Sequence, residues 1–348
     1  MNAMRSDRNP YIDIMKFVSA IIIMTNHLGM GLSSWGNVNQ INYVIVDSFF
    51  VISGFLFAKQ YEKNKKRGIF KYIIKKITGI YFVYLSAIVI GIVVILINFE
   101  LFQDRDLSVT SIVLEALMGQ QLFININLLN GPDWYVSAWI ISIFLYMCLY
   151  KLFGKKGDIL ILLLFISYVI YFCKMGYMPN HTRPYYVIMG GTQRGLCVMA
   201  LGILVYRGYC RLERYGKTHF VLAMRVLTLI TTVSYIICLR YCSSHVSLGI
   251  IALFLLSISI VSSYYSQWMF NGIMRFNIVK ETIESSMYIY LLHLPASFIF
   301  KYLMYGYGGK IGLLGVVVIV VMIISKIDKR IVPLIYHKVI GYIEIQGE

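Results

Sequence analysis

Apolar residues run through this chain in long blocks, separated by short polar loops rich in Lys and Arg. Blocks of about 20 apolar residues match the hydrocarbon core of a bilayer, not the single apolar face of a soluble helix. The pattern predicts spans at 11–31, 41–59, 77–98, 134–153, 158–174, 185–206, 218–240, 247–265, 285–304 and 311–327. The expected fold class is therefore all-α and polytopic: a bundle of about ten transmembrane helices, one membrane domain over 1–348 with no separate soluble domain. The first ten residues, MNAMRSDRNP, place basic groups before an apolar block as a signal peptide would. That block contains Asp13 and Lys16 and has no small-residue cleavage site, so an uncleaved first span is expected. No repeat of fixed period and no matching pair of interrupted helices appears, which weakens a transporter reading.

The 348 residues are 59% hydrophobic and only 14% charged, yet carry a net charge of +16. Placement of the 32 Lys and Arg residues explains the excess. With the N-terminus inside, most fall in cytoplasmic segments, notably the run from Lys59 to Lys76 and the group Arg207, Arg211, Arg214 and Lys217. The outer segments hold Arg105, Lys174, Arg183, Arg240, Lys301 and Lys310. This bias puts both termini in the cytoplasm of a multi-pass protein, with a bacterial plasma membrane the expected location. The charge sets topology, so the lipid bilayer is an expected partner and nucleic acid is not.

Two segments outside the spans invite a structural reading. YEKNKKRGIFKYIIKK mixes Lys with Ile, Phe and Tyr, as a helix lying on the inner membrane surface would. In the outer segment 99–133, SVTSIVLEALMGQQLF predicts a short amphipathic helix at the outer surface or a re-entrant element. The six cysteines are scattered, with no Cys/His cluster at metal-ligand spacing, so neither a disulfide framework nor a metal site is predicted.

Candidate chemistry comes from ionisable residues inside the spans. Lys16 and His27 lie eleven positions apart in IDIMKFVSAIIIMTNHLGMG. At 100° per residue they share a helix face about 16 Å apart, with Asp13 on the same arc. Such residues line functional cavities, or else Asp13 and Lys16 snorkel to the headgroups while His27 sits at the far end. Asp47 lies near the outer end of the second span, and Ser53-Gly54 near its middle, where a glycine permits close helix approach. Arg194 is too deep in the sixth span to snorkel, which points to a cavity. His293 precedes Pro295 near mid-membrane, as a ligand-facing or a hydrogen-bonded packing residue.

Taken in order, these motifs resemble the acyltransferase family 3 membrane proteins, which O-acylate surface carbohydrates and lipids. YIDIMKFVSAIIIMTNH resembles the family's Asp-x-x-Arg/Lys followed by ten residues and His. VDSFFVISGFLFAK resembles its FFxxSGF motif, WYVSAWIISIFLY its Trp-x-Leu-x span, RGLCVMALGILVYR its Arg–Gly span, and IYLLHLP its Tyr-Leu-x-His. Two departures stand out. Where many members have Arg-x-x-Arg, this chain has Lys75 and Lys76 followed by Thr78 and Gly79, so a paired guanidinium clamp is replaced by point charges. Where many carry a glutamate after the Trp motif, residues 138–142 hold none.

The resemblance implies an O-acyltransferase. Its donor is cytoplasmic acyl-CoA, by default acetyl-CoA with succinyl as the alternative, and its acceptor a hydroxyl of an extracytoplasmic carbohydrate or glycolipid. Lys71, Lys75 and Lys76 are expected to hold the CoA phosphates and Lys16 to guide the arm, with Arg194 at the thioester oxyanion or a phosphate. His27 is expected as general base and Asp47 as orienting His27 or the acceptor, with Asp13 and His293 toward substrate. Direct transfer and an acyl-enzyme on histidine or Ser53 both remain open. A transporter or flippase for lipid-linked saccharides, or a ligand sensor, would use the same buried groups without making a bond.

Overall fold

The computed structural model describes residues 8–29, 38–63, 69–97, 108–122, 130–175, 184–185, 188–214, 221–242, 245, 247–299 and 309–346. Its helices, in chain order, are α1 Pro10–His27, α2 Val38–Lys63, α3 Ile69–Ile97, α4 Val109–Ala116, α5 Trp134–Phe153, α6 Gly157–Met175 and α7 Gly190–Glu213. They continue with α8 Val221–Tyr241, α9 Ser247–Ser263, α10 Gln267–Asn271, α11 Asn277–Glu284, α12 Ser286–Phe298 and α13 Gly309–Gln346. A helix lies on each of the ten predicted spans. Among the described residues, six helices are long and apolar enough to cross a membrane: Gln40–Lys63, Lys76–Ile97, Gly131–Phe153, Gly157–Lys174, Gly190–Glu213 and Val221–Tyr241. Two others are short for a span, α9 with 17 residues and α12 with 13.

Helix α2 sits at the centre. Enclosed by its neighbours, it buries Ile45, Phe50, Val51 and Phe55 together with the polar Asn42, Asp47 and Ser48. It packs against α7 through two reciprocal glycines. A Cβ on Gly54 would strike the backbone carbonyl of Met199, and one on Gly202 would strike Val51 O and come within 2.7 Å of Phe55 N. The close approach expected at Gly54 is thus present, with Gly202 as its counterpart. Buried hydroxyls tie neighbouring helices together. Tyr11 Oη donates to Ser259 Oγ at 2.8 Å, and Ser48 Oγ lies 2.9 Å from Tyr235 Oη.

Local signals set the ends of the site-bearing helices. Asn9 caps α1, its side chain accepting from Tyr11 N at 3.0 Å, and Pro10 takes the first turn, where no intrahelical N–H is needed. Ser108 caps α4 by accepting from Ser111 N at 3.2 Å.

Of the basic segment 61–76, residues 61–63 close α2 and 69–76 open α3, while 64–68 lie outside the described residues. The amphipathic helix predicted in 99–133 forms as α4, with its polar side turned inward. Glu115 is 0% exposed, while Val109 is 77% and Leu117 69% exposed. That inversion suits an element at membrane depth, apolar toward lipid and polar toward the bundle.

Candidate active site

The two histidines singled out in the sequence meet. His27 closes α1 and His293 lies in α12, and His27 Nδ1 is 2.8 Å from His293 Nε2, with the rings stacked at 5.1 Å. His293 is fully buried, whereas His27 is exposed. His293 Nδ1 lies 2.8 Å from Tyr290 O and 3.1 Å from Ile289 O, and a carbonyl only accepts, so Nδ1 carries the proton. In the neutral ring Nε2 then has the lone pair, and His27 Nδ1 must donate to it. Neutral His27 is left with an unprotonated Nε2 on its open side, which is what a general base requires.

Around this pair the bundle places aromatic rings and an unexpected set of polar groups. Tyr290 sits 6.3 Å from the His293 ring and packs edge-on to Phe49 and Tyr135, each at 5.6 Å. Its hydroxyl donates to Pro132 O at 3.2 Å. Asn130 Nδ2 donates to Leu291 O at 2.8 Å and to Asp133 Oδ1 at 2.9 Å, and Asn130 N donates to Glu115 Oε1 at 3.1 Å. Glu115, Asn130 and Asp133 are all fully buried. Buried acidic groups linked through Asn130 to the His293 helix therefore come from α4 and the turn before α5, not from 138–142. Glu115 lay in a segment already marked as amphipathic. Nothing local in the sequence pointed to Asn130 or Asp133 as buried.

Asp47 and Arg194, both fully buried, form an ion pair with each other. Arg194 Nη2 and Nε donate to Asp47 Oδ1 at 2.7 and 3.0 Å, Nη2 also reaches Tyr43 O at 3.0 Å, and Tyr168 Oη donates to Asp47 Oδ2 at 3.0 Å. The guanidinium lies between the rings of Tyr43 and Trp134, at 4.9 and 5.2 Å. The structure therefore gives Asp47 to Arg194 and not to His27. Arg194 Nη1 is buried without a hydrogen-bond partner, a cationic donor left unsatisfied beside the Asp47 pair.

The other predicted residues fall into separate groups. Asp13 and Lys16 come together at the opposite end of α1 from His27, with Lys16 Nζ 3.1 Å from Asp13 Oδ1 and Arg8 bonded to the same carboxylate. Ser53, half-buried, has its hydroxyl 3.0 Å from Tyr135 Oη. Lys76 lies in α3, partly buried. Lys71 and Lys75 fall in the same helix, and their side chains lie outside the described residues.

Comparison with known proteins gives one match. The family model for the acyltransferase domain of the acyltransferase 3 family covers residues 9–326, nearly the whole chain, and the chain belongs to that family. No curated protein and no solved structure matches it significantly. The apolar helices and the family together describe a helical membrane acyltransferase.

Proposed function

We propose that this member of the acyltransferase 3 family moves an acyl group, acetyl by default, from cytoplasmic acyl-CoA to a hydroxyl of an extracytoplasmic carbohydrate or glycolipid. The observation that carries the reading is the His27–His293 pair, which presents an exposed imidazole with a free Nε2 backed by a buried, carbonyl-anchored partner. His27 Nε2 takes the proton of the acceptor hydroxyl as its oxygen attacks the thioester carbonyl. The C–O bond forms, the C–S bond breaks, and the proton passes from the imidazolium to the departing thiolate. His293 holds the His27 tautomer and accepts from Nδ1–H while His27 is charged, the part a carboxylate plays in hydrolytic triads.

Arg194 Nη1 is suited to the oxyanion of the tetrahedral intermediate, since its other nitrogens are already fixed by Asp47 and Tyr43. Lys71, Lys75 and Lys76 serve the donor phosphates in this reading, and Lys16, paired with Asp13, guides the arm. Direct transfer is favoured over a seryl intermediate, because the Ser53 hydroxyl meets a tyrosine and not a base. The bundle of about ten spans, with both termini cytoplasmic, sits in the bacterial plasma membrane.

The test is purified protein with radiolabelled acetyl-CoA, followed by mass spectrometry of surface glycans from cells with and without the protein. Label leaving CoA in a His27-dependent manner, with a glycan mass difference of one acyl group, is the expected result. Label that stays on CoA with every acceptor fraction, and glycans unchanged by His27→Ala, would sink the enzyme reading in favour of transport.

A further inference from the structure

Proline has no N–H, so Pro295 inside α12 leaves the carbonyl of Leu291, one helical turn back, without the donor a helix would give it. That carbonyl is met from outside the helix: Asn130 Nδ2, in the turn before α5, donates to Leu291 O at 2.8 Å. His293 lies between Leu291 and Pro295 on the same turn of α12. We infer that Asn130 is a positioning residue for the histidine pair: its amide closes the gap opened by Pro295 and so fixes the turn of α12 that holds His293 against His27. This role rests on His27 acting as the base.

Asn130 is held from several directions. Its N–H donates to Glu115 Oε1 at 3.1 Å, Nδ2 also donates to Asp133 Oδ1 at 2.9 Å, and its carbonyl accepts from Asp133 N at 3.1 Å. Asn130, Glu115 and Asp133 are each 0% exposed. The amide has one workable orientation, because a flip would set Oδ1 against Leu291 O, which only accepts. In that orientation Oδ1 is buried without a partner, so the donors and not the acceptor decide how the amide sits. Two further contacts join the same turn to α12. Tyr290 Oη donates to Pro132 O at 3.2 Å, and a Cβ on Gly131 would lie 3.7 Å from Leu294 Cδ1. The turn thus grips α12 at Tyr290, Leu291 and Leu294, on both sides of His293, and through Glu115 it ties α4 into the same clamp.

The contact between the histidines depends on where this turn of α12 lies. His27 Nδ1 and His293 Nε2 are 2.8 Å apart, and a shift of about 0.8 Å ends a hydrogen bond of that length. Misplacing a catalytic group by about 1 Å costs on the order of 100-fold in rate. Apolar contact has no preferred direction. A bond to a buried carbonyl does, because a carbonyl left unmet inside the bundle is expensive.

The experiment compares Asn130→Ala, Pro295→Ala and His293→Ala, singly and in pairs, in the detergent-purified full chain. Alanine at position 295 restores the N–H that Leu291 O lacks. Asn130→Ala should therefore lower the melting temperature of the otherwise wild-type chain, and lower it much less beside Pro295→Ala. With labelled acetyl-CoA, Asn130→Ala should lower kcat about tenfold at unchanged KM, and should move the acid limb of the kcat–pH profile as His293→Ala moves it. Added to His293→Ala, it should cost little further transfer. Losses that multiply in that pair, or an acid limb that Asn130→Ala leaves in place, would mark a residue that supports the fold without acting through His293, and overturn the assignment. An equal fall in melting temperature with and without Pro295→Ala overturns it as well. Should Asn130→Ala alone not fold, recovery of a folded chain by Pro295→Ala supports the role and failure to recover one overturns it. A wild type that transfers no label removes the reaction itself, and is told apart because the unsubstituted chain is then as inactive as every variant.

Discussion

His27 Nδ1 and His293 Nε2 are 2.8 Å apart although 266 residues separate them in sequence, and the carbonyl of Tyr290 fixes the direction of the proton between them. A chain of carbonyl, buried imidazole and exposed imidazole leaves one lone pair facing outward.

Removing the base should cost most. His27→Ala is expected to lower kcat for acyl transfer by 10²–10⁴-fold, the usual range for general-base catalysis, with donor affinity unchanged. His293→Ala should lower kcat about 10-fold to 100-fold, and His293→Gln, which restores an acceptor toward His27 Nδ1, should recover part of that loss. Steady-state kinetics with labelled acetyl-CoA checks both, and a His293→Ala enzyme with wild-type kcat would exclude the positioning role.

Under the proposed mechanism activity should fall on the acid side, because protonating His27 Nε2 removes the lone pair assigned to the hydroxyl proton. The acid limb belongs to the histidine pair as a unit. In His293→Ala the position of that limb should move, which a kcat–pH profile reads directly.

The Asp47–Arg194 pair should behave as a buried ion pair. Asp47→Ala alone leaves a cation without its partner and should cost about 3–5 kcal/mol, seen as lost expression or a lower melting temperature. Replacing both, Asp47→Leu with Arg194→Met, should regain much of that stability. It should not regain transfer if Arg194 Nη1 serves the oxyanion, so stability and activity part company in the double variant.

Ser53→Ala should retain transfer within about threefold, since it loses one hydrogen bond, to Tyr135, worth about 1 kcal/mol or less. Intact-protein mass spectrometry after incubation with acetyl-CoA should find no acyl adduct on residue 53. An adduct that disappears in Ser53→Ala would reverse the preference for direct transfer.

The α2–α7 contact offers a purely structural check. Gly202→Ala forces a Cβ into the backbone of Val51 and Phe55 and should destabilise by about 1–3 kcal/mol. Gly208→Ala, in the same helix with open space around the new carbon, should not, and thermal melts in detergent compare the two.

What the sequence determined by itself was the environment and the list of costly residues. Long apolar blocks require helices in lipid, because backbone polar groups must be satisfied within each segment, and so a helix lies on every predicted span. Lys16, His27, Asp47, Arg194 and His293 were legible for the same reason: an ionisable group is expensive there and stands out against its neighbours. Their partners were not legible. A helical period says which residues share a face of one helix, and it grouped Asp13, Lys16 and His27, yet only Asp13 and Lys16 touch. Whether Asp47 turns to His27 or to Arg194, and whether His293 meets substrate or His27, depends on how α1, α2, α7 and α12 pack. Those contacts join positions up to 266 residues apart and are settled by which buried charges and lone pairs can satisfy one another. The inward turn of Glu115 and the burial of Asn130 and Asp133 belong to the same class. The tertiary structure decided them, because the polar side of α4 had nowhere but the bundle interior to find partners.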